Sequence, residues 1–445
     1  MKTKVGVVSL GCDKNRVDTE VMLANLVDGG YEITADPVDA DVIIINTCAF
    51  LESARKEAID TAFEMIRYKK SGKCKKVILT GCLGEKFGEE VYKDLYEVDA
   101  VLGTQDYSRI VDIVDETLRG KRNFYHTCDN GITFGSRILT TAPHTAYLKI
   151  ADGCDNYCTY CLIPYIRGRY RSVPMDKIIS HTQELADNGV KELILVAQDT
   201  TRYGKDLYGE YKIVELLREI SKISQIQWIR ILYAYPELLS DELIQEIATN
   251  DKVVNYVDIP LQHVNNEMLR KMNRRSNGDS IRALFDKLAA VNISVRSTFI
   301  CGFPYETHQT VDEVAQFLTK YKLRNVGFFP YSREEGTAAA KFDTQISDKL
   351  KERYVEQLYG VQYGIAQQLN IDEVGKIHKI IIDGIDNTVE SDDNNYCYTG
   401  RTYFMSPEID GLVRVSSKQP LQLGNFYDVK ITGVIEYDLI GEAVE

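Results

Sequence analysis

Three short apolar runs open the chain: KVGVVSLGC (4–12), ADVIIINTC (40–48) and KKVILTGC (75–82). They are continuous rather than alternating and rich in β-branched residues, as strands buried on both faces are. Amphipathic stretches over roughly 16–28 and 52–70 separate them, so the pattern predicts a βαβαβ unit with parallel strands. Residues 126–143, HTCDNGITFGSRILTTAP, are rich in Gly, Thr and Ser and read as a linker. A second strand–helix series follows. Its strands are AYLKIA (146–151), ELILVAQD (192–199), IQWIRILYAYP (226–236), VVNYVDIPLQH (253–263), ISVRSTFICGFP (293–304) and NVGFFPYS (325–332). Six βα repeats are too few for a closed eight-fold barrel and match an open, partial one. From about residue 371 apolar and polar positions alternate, with turns at DG and TG, which predicts a small antiparallel β-barrel or sandwich. The expected fold class is α/β. A doubly wound parallel-sheet domain (1–125) and a linker (126–143) lead to a TIM-like (βα)6 partial barrel (144–370) and a small antiparallel β-barrel (371–441).

Composition narrows the setting. The 445 residues are 44% apolar, enough for several cores, and carry a formal charge of −13. That balance argues against non-specific binding to nucleic acid and suits a basic partner, although a solvated acidic surface is the commoner explanation. Residues 370–445 alone hold fourteen acidic side chains against six basic ones. No run of eighteen apolar residues occurs, so no membrane span is expected. The apolar patch in MKTKVGVVSLGC is about six residues long, too short for a secretory signal. A cytoplasmic setting follows, and there ten cysteines point to metal or redox chemistry more than to disulfides.

The cysteines fall into two triads. Each of the three opening runs ends in one: Cys12, Cys48 and Cys82. Parallel strands present their C-terminal ends at one edge, so residues about 35 positions apart can converge there. The alternative is three buried core cysteines. The second triad is local. KIADGCDNYCTYCLIP (149–164) carries Cys154, Cys158 and Cys161, just past a predicted strand. A structural zinc takes four ligands, and the nearest following histidine, His181, is about twenty residues away. An iron–sulfur cube normally takes four cysteines, so three leave one iron open to a guest. Tyr160, between the second and third cysteines, is placed to shield such a cluster. A non-catalytic iron–sulfur or zinc protein is the competing class, but it has no use for two open sites and a large βα core.

CDNYCTYC resembles the signature of radical S-adenosylmethionine (SAM) enzymes. In that family the open iron chelates SAM, and one electron splits it to a 5′-deoxyadenosyl radical that takes hydrogen from an unactivated carbon. The whole chain further resembles the methylthiotransferases, which join an N-terminal domain with three strand-end cysteines, a radical SAM core and a C-terminal TRAM domain. The resemblance implies two 4Fe-4S clusters, an auxiliary one on Cys12, Cys48 and Cys82 and the radical one on Cys154, Cys158 and Cys161. It also implies two uses of SAM per turnover, an electron donor such as flavodoxin, and a sulfur donor.

Members of this family modify either tRNA adenosines or a ribosomal protein. SLGCDKNRVDTE (9–20), LILVAQDTTRYG (193–204) and GRTYFMSPEIDG (400–411) resemble the ribosomal-protein branch, and the acidic C-terminal segment agrees, because RNA affinity asks for basic surface. The implied substrate is small-subunit ribosomal protein twelve, free or in the ribosome, modified on the β-carbon of an aspartate, with no direct tRNA substrate. The tRNA-modifying branch stands as the alternative. DIPLQHVNNEMLRKMNR (258–274), STFICGFPYET (297–307) and YSREEGTAAA (331–340) resemble segments lining the SAM cavity. With Tyr160, the candidate SAM-lining residues are Gln198, Asp199, Gln262 and His263, the last weighed against a structural role. Arg167 and Arg169 either meet the SAM carboxylate or pair with acidic neighbours. Phe303–Pro304 reads as a rigid turn. Tyr305 stands where the family usually has Gly, and Asp152 where it usually has Glu. Cys74, Cys128, Cys301 and Cys397 match no motif and read as structural.

Overall fold

The computed structural model describes residues 2–127, 131–388 and 396–444. The apolar runs become strands. The N-terminal unit holds β1 (Lys4–Ser9), β2 (Glu32–Thr34), β3 (Val42–Thr47), β4 (Lys76–Gly81), β5 (Ala100–Leu102) and β6 (Asn123–Tyr125) in one all-parallel sheet, ordered β2-β1-β3-β4-β5-β6. Helices α1 (Asp13–Asp28), α2 (Glu52–Ser71), α3 (Cys82–Asp94) and α4 (Ile110–Leu118) cover its faces. Every residue of β3 is buried, which is why its sequence does not alternate. Three strands more are present than the sequence pattern announces, each of only three residues.

The central unit opens with β7 (Thr145–Lys149). Two short strands, β8 (Ala151–Asp152) and β9 (Arg171–Ser172), pair with each other beside it. Then come β10 (Glu192–Val196), β11 (Trp228–Ile231), β12 (Val253–Gln262), β13 (Ser294–Cys301) and β14 (Asn325–Pro330). These and β7 form an open six-stranded parallel sheet ordered β14-β13-β12-β11-β10-β7, the expected partial barrel. Alternate residues serve two cores. Leu148, Leu193, Leu195, Ile229 and Val257 face the surrounding helices, whereas Tyr147, Ile194, Trp228 and Tyr256 face the C-terminal barrel.

That barrel is closed, in the order β15 (Ile377–Ile385), β16 (Tyr396–Arg401), β17 (Val413–Ser417), β19 (Asp438–Ala443) and β18 (Phe426–Ile435). It is not wholly antiparallel as expected, because β17 and β19 pair in parallel. Five strands cannot close by hairpins alone, and the turn at 436–437 carries the chain back across. The segment expected as a linker has no regular strand or helix among its described residues, yet it is pinned. Arg137 and Thr140 both bond to the buried Glu20, and Ile132, Phe134 and Leu139 pack on the central core.

Candidate active site

Cys12 caps α1 after β1, Cys48 follows β3, and Cys82 opens α3 after β4. These strands are neighbours in the sheet, so the three thiols stand along one edge. The charge of Cys12 acts on Cys48, and those of both act on Cys82. Cys12 is exposed, Cys48 half-buried and Cys82 buried, and burial pushes the Cys82 thiol up to about 12. Gly81 makes the approach possible. It sits at φ +95°, and a Cβ there would lie 2.4 Å from both Asn46 Oδ1 and the Thr47 carbonyl.

The second triad sits on a clamped loop. Tyr157 adopts a left-handed φ of +48°, and Asn273 holds it there by donating to the Tyr157 carbonyl at 2.9 Å. Thr159 donates its hydroxyl to the Lys271 carbonyl and its N–H to Met272. Asn156 donates to Asp199 at 3.0 Å. Burial raises Cys154 to about 12 and Cys161 further, while Cys158 acts on both. Donors already face the sulfurs: Ile163 N–H reaches Cys161 at 3.4 Å, and Arg274 and the Tyr235 hydroxyl each reach Cys158 at 3.9 Å.

Among the described residues, no three His, Cys, Asp or Glu side chains gather closely enough for a single metal ion. A 4Fe-4S cube, with iron at four of its eight corners and sulfide at the others, takes its thiolates from wider apart than one ion does. The donor chemistry fits such a cluster. The buried Cys82, Cys154 and Cys161 resist ionising alone, a bound iron would replace the proton, and the N–H and guanidinium groups already in place would stabilise the thiolates.

The candidate lining residues divide. Tyr160 packs edge-on to Phe303, with ring centroids 6.4 Å apart, within reach of Cys158. Gln198 donates to Asp152 at 3.1 Å, and its carbonyl oxygen is buried without a partner. Asp199 is fully buried and accepts from Asn156 and Thr201, and burial raises its carboxyl. It is committed to the cysteine loop. Gln262 lies at a bulge with φ +69°, its amide 3.5 Å from Thr298. His263 is fully buried, with Nδ1 accepting from two backbone N–H groups and Nε2 3.0 Å from Glu306, so its place is structural. Arg167 pairs with acidic neighbours, and Arg169 is exposed beside Asp155. Phe303 is more than a turn residue. It is fully buried at the centre of an aromatic cluster with Tyr331 and Phe342. Tyr305 keeps the left-handed backbone, φ +73°, with Lys271 over its ring at 3.7 Å. His181 bonds to Glu184 at 3.2 Å and takes no part in either triad. Cys74 and Cys301 are buried in core clusters, Cys397 is half-buried on β16, and Cys128 lies outside the described residues.

Sequence reasoning missed the ground between the triads. Asp18, from α1, accepts from Lys149 and, at 2.7 Å, from Arg167. Asp152 is 3.2 Å from Arg167 and 3.5 Å from Lys149. Burial pushes the Asp152 carboxyl up, but those two cations outweigh it and hold it well below the usual range. Tyr233, at φ +60° after β11, donates to Asp13 at 3.0 Å, next to Cys12, and Lys14 lies 3.3 Å over its ring. The available signal was a lysine inside the apolar run AYLKIA, since a charge on a buried strand needs a partner.

Comparison with known proteins bears on the family. Residues 4–103 match the Uncharacterized protein family UPF0004, 148–318 the Radical SAM superfamily and 374–444 the TRAM domain. The chain is 47% identical over 445 residues to the ribosomal protein uS12 methylthiotransferase RimO of Clostridium kluyveri, covering 99% of this chain and 98% of that one. It is 45% identical to the protein of the same description from Acetivibrio thermocellus, covering 100% and 99%. The chain belongs to the RimO methylthiotransferase family. Of the two branches weighed from sequence, the ribosomal-protein branch therefore stands. Among solved structures, the RimO-family chain shares its fold with the radical SAM methyltransferase TsrM of Kitasatospora setae. The TM-score is 0.56 at 14% identity, covering 76% of this chain and 74% of that one. The radical enzyme OxsB gives 0.53 at 12% identity, covering 84% and 61%.

Proposed function

We propose that the chain is a radical SAM methylthiotransferase that adds a methylthio group to the β-carbon of an aspartate in ribosomal protein uS12, using two 4Fe-4S clusters and SAM. The observation that carries it is the pair of cysteine triads joined by one buried network, with Arg167 of the second loop ending at Cys82 of the first. Cys154, Cys158 and Cys161 would hold the SAM-binding cluster, and Cys12, Cys48 and Cys82 the auxiliary one. When bound, the cluster on Cys154, Cys158 and Cys161 would supply the electron that cleaves SAM and so the radical that removes hydrogen from the target carbon. The chain's own residues keep the loop shut to water. Tyr160, Tyr235 and Phe303 wall the second triad with aromatic surface, Asn273 holds its backbone and Asp199 holds the Asn156 side chain. Gln198, with its unpartnered carbonyl oxygen beside Asp152, is the lining residue best placed to accept a hydrogen bond from SAM.

A cavity of about 540 Å³ opens between the inner face of β13 and β14 and the C-terminal barrel, lined in part by Gly327, Phe329, Ile409 and Tyr437. An electron donor such as flavodoxin and a sulfur donor complete the reaction, and the cytoplasm is where such partners meet. Among the described residues no helix is long and apolar enough to cross a membrane.

Mass spectrometry of ribosomal proteins from cells with and without this gene tests the reading. One methylthio group gained on uS12 only when the gene is present supports it. An unchanged uS12 mass beside altered tRNA adenosines overturns it.

A further inference from the structure

Arg167 belongs by sequence to the second cysteine loop, six residues past Cys161, yet its side chain ends at the first triad. It is 3% exposed. One terminal nitrogen donates to Asp18 at 2.7 Å and to Asp152 at 3.2 Å. The other donates to Asn15 Oδ1 and stands 3.8 Å from Cys82 Sγ. Asn15 and Asp18 lie on α1, the helix that Cys12 caps. Asn15 also donates to the Leu10 and Thr47 carbonyls, which ties the ends of β1 and β3 together. Lys149 balances the set, giving two buried cations against two buried carboxylates.

Only a guanidinium can do this. Its planar fork sends donors in two directions at once, toward the carboxylates and toward the sulfur, whereas an ammonium is a single point charge. Donors to a cluster's sulfur ligands stabilise the more negative, reduced state and raise the reduction potential. The second triad repeats the device, since Arg274 stands 3.9 Å from Cys158.

We infer that Arg167 is a positioning residue shared by both centres: it donates to the Cys82 sulfur, sets the reduction potential of the cluster on Cys12, Cys48 and Cys82, and locks the second cysteine loop against α1. This rests on the reading of the triads as cluster ligands, and the experiment separates the two.

The full chain is prepared with Cys154, Cys158 and Cys161 replaced by Ala and reconstituted anaerobically with iron and sulfide. About four irons and four sulfides per chain establish the N-terminal cluster. Their absence overturns the ligand assignment, and the inference with it. Arg167→Lys and, separately, Asp152→Asn are then made in that background. The midpoint potential for one-electron reduction by dithionite is followed by electron paramagnetic resonance. Arg167→Lys keeps the charge and removes the donor to sulfur, so the potential falls with iron content unchanged. Asp152→Asn leaves Arg167 less neutralised, so the potential rises. Opposite shifts of the two variants support the inference, because loosening of the fold alone moves both the same way. Potentials and spectra matching the parent in both overturn it, as does a shift of one sign in both. Should Arg167→Lys fail to fold, the Asp152→Asn shift decides.

Discussion

His263, a candidate SAM-lining residue from sequence, has no free nitrogen. Its partner, Glu306, is 43 residues away, and both are buried. A His263→Asn variant is therefore expected to keep its SAM affinity and to lose about 1–3 kcal/mol of stability through the orphaned Glu306. Equilibrium binding and a thermal melt together check this, and lost affinity with an unchanged melt would reassign the ring to the cavity. Tyr305 makes a second case. Its left-handed backbone costs about 1–2 kcal/mol in any residue with a Cβ, partly offset by the cation over its ring. Tyr305→Ala keeps the strain and loses the ring, so it should melt below Tyr305→Gly. The reverse order would remove the strain argument. At this scale the sequence was readable where chemistry is written in spacing. Cys154, Cys158 and Cys161 announce themselves within eight positions. The pairing of Arg167 with acidic neighbours and a structural His263 stood among the readings, but their partners Asp18 and Glu306 lie far along the chain, where spacing does not name them.

Among elements, the six parallel strands of the central sheet were legible because each carries apolar, β-branched residues between helical stretches, and β7, β10 and β11 are buried throughout. β2, β5 and β6 were not, since three residues are too few to show a period. Nor was the parallel pairing of β17 with β19, because alternation reports burial and says nothing of direction. The contact between the C-terminal barrel and the central sheet was equally hidden. There Glu192, fully buried, accepts from Arg401 at 2.7 Å and from Arg230 at 3.1 Å. Burial pushes its carboxyl up, and the two arginines outweigh that and hold it low. Arg401→Gln leaves this carboxylate and Asp383 short of a partner, and a loss of about 3–5 kcal/mol in urea unfolding is expected. A loss under about 1 kcal/mol would show the pair to be idle. Glu373 links the helix Asp348–Ile371 to β15. Burial raises its carboxyl, but the bond from His378 and the charge of Arg324 bring it down to about 2. A depressed folded value means stability that is present above the unfolded value of about 4.3 and lost as pH falls toward 2. Melting temperature against pH should drop less steeply across that window in Glu373→Gln than in the parent.

For the whole molecule, charge and connectivity matter most. The C-terminal segment holds fourteen acidic side chains to six basic, a surface suited to a basic partner. Exposed charges steer encounter and are screened within about 10 Å at 0.1 M salt, so the association rate with uS12 should fall as salt rises while dissociation changes little. Surface-based kinetics at several ionic strengths reads this, and a salt-independent association rate would count against electrostatic steering. One contact described by its atoms alone sets a timetable. Glu334, 1% exposed, accepts from the Glu52 N–H at the start of α2 and from Arg55, across 282 positions of chain. Translation covers that gap in roughly 15–60 s at about 5–20 residues per second. For that interval the newborn N-terminal half has the Glu52 N–H and the Arg55 guanidinium left to water. The docking of the start of α2 on the central domain therefore waits until residue 334 has been made.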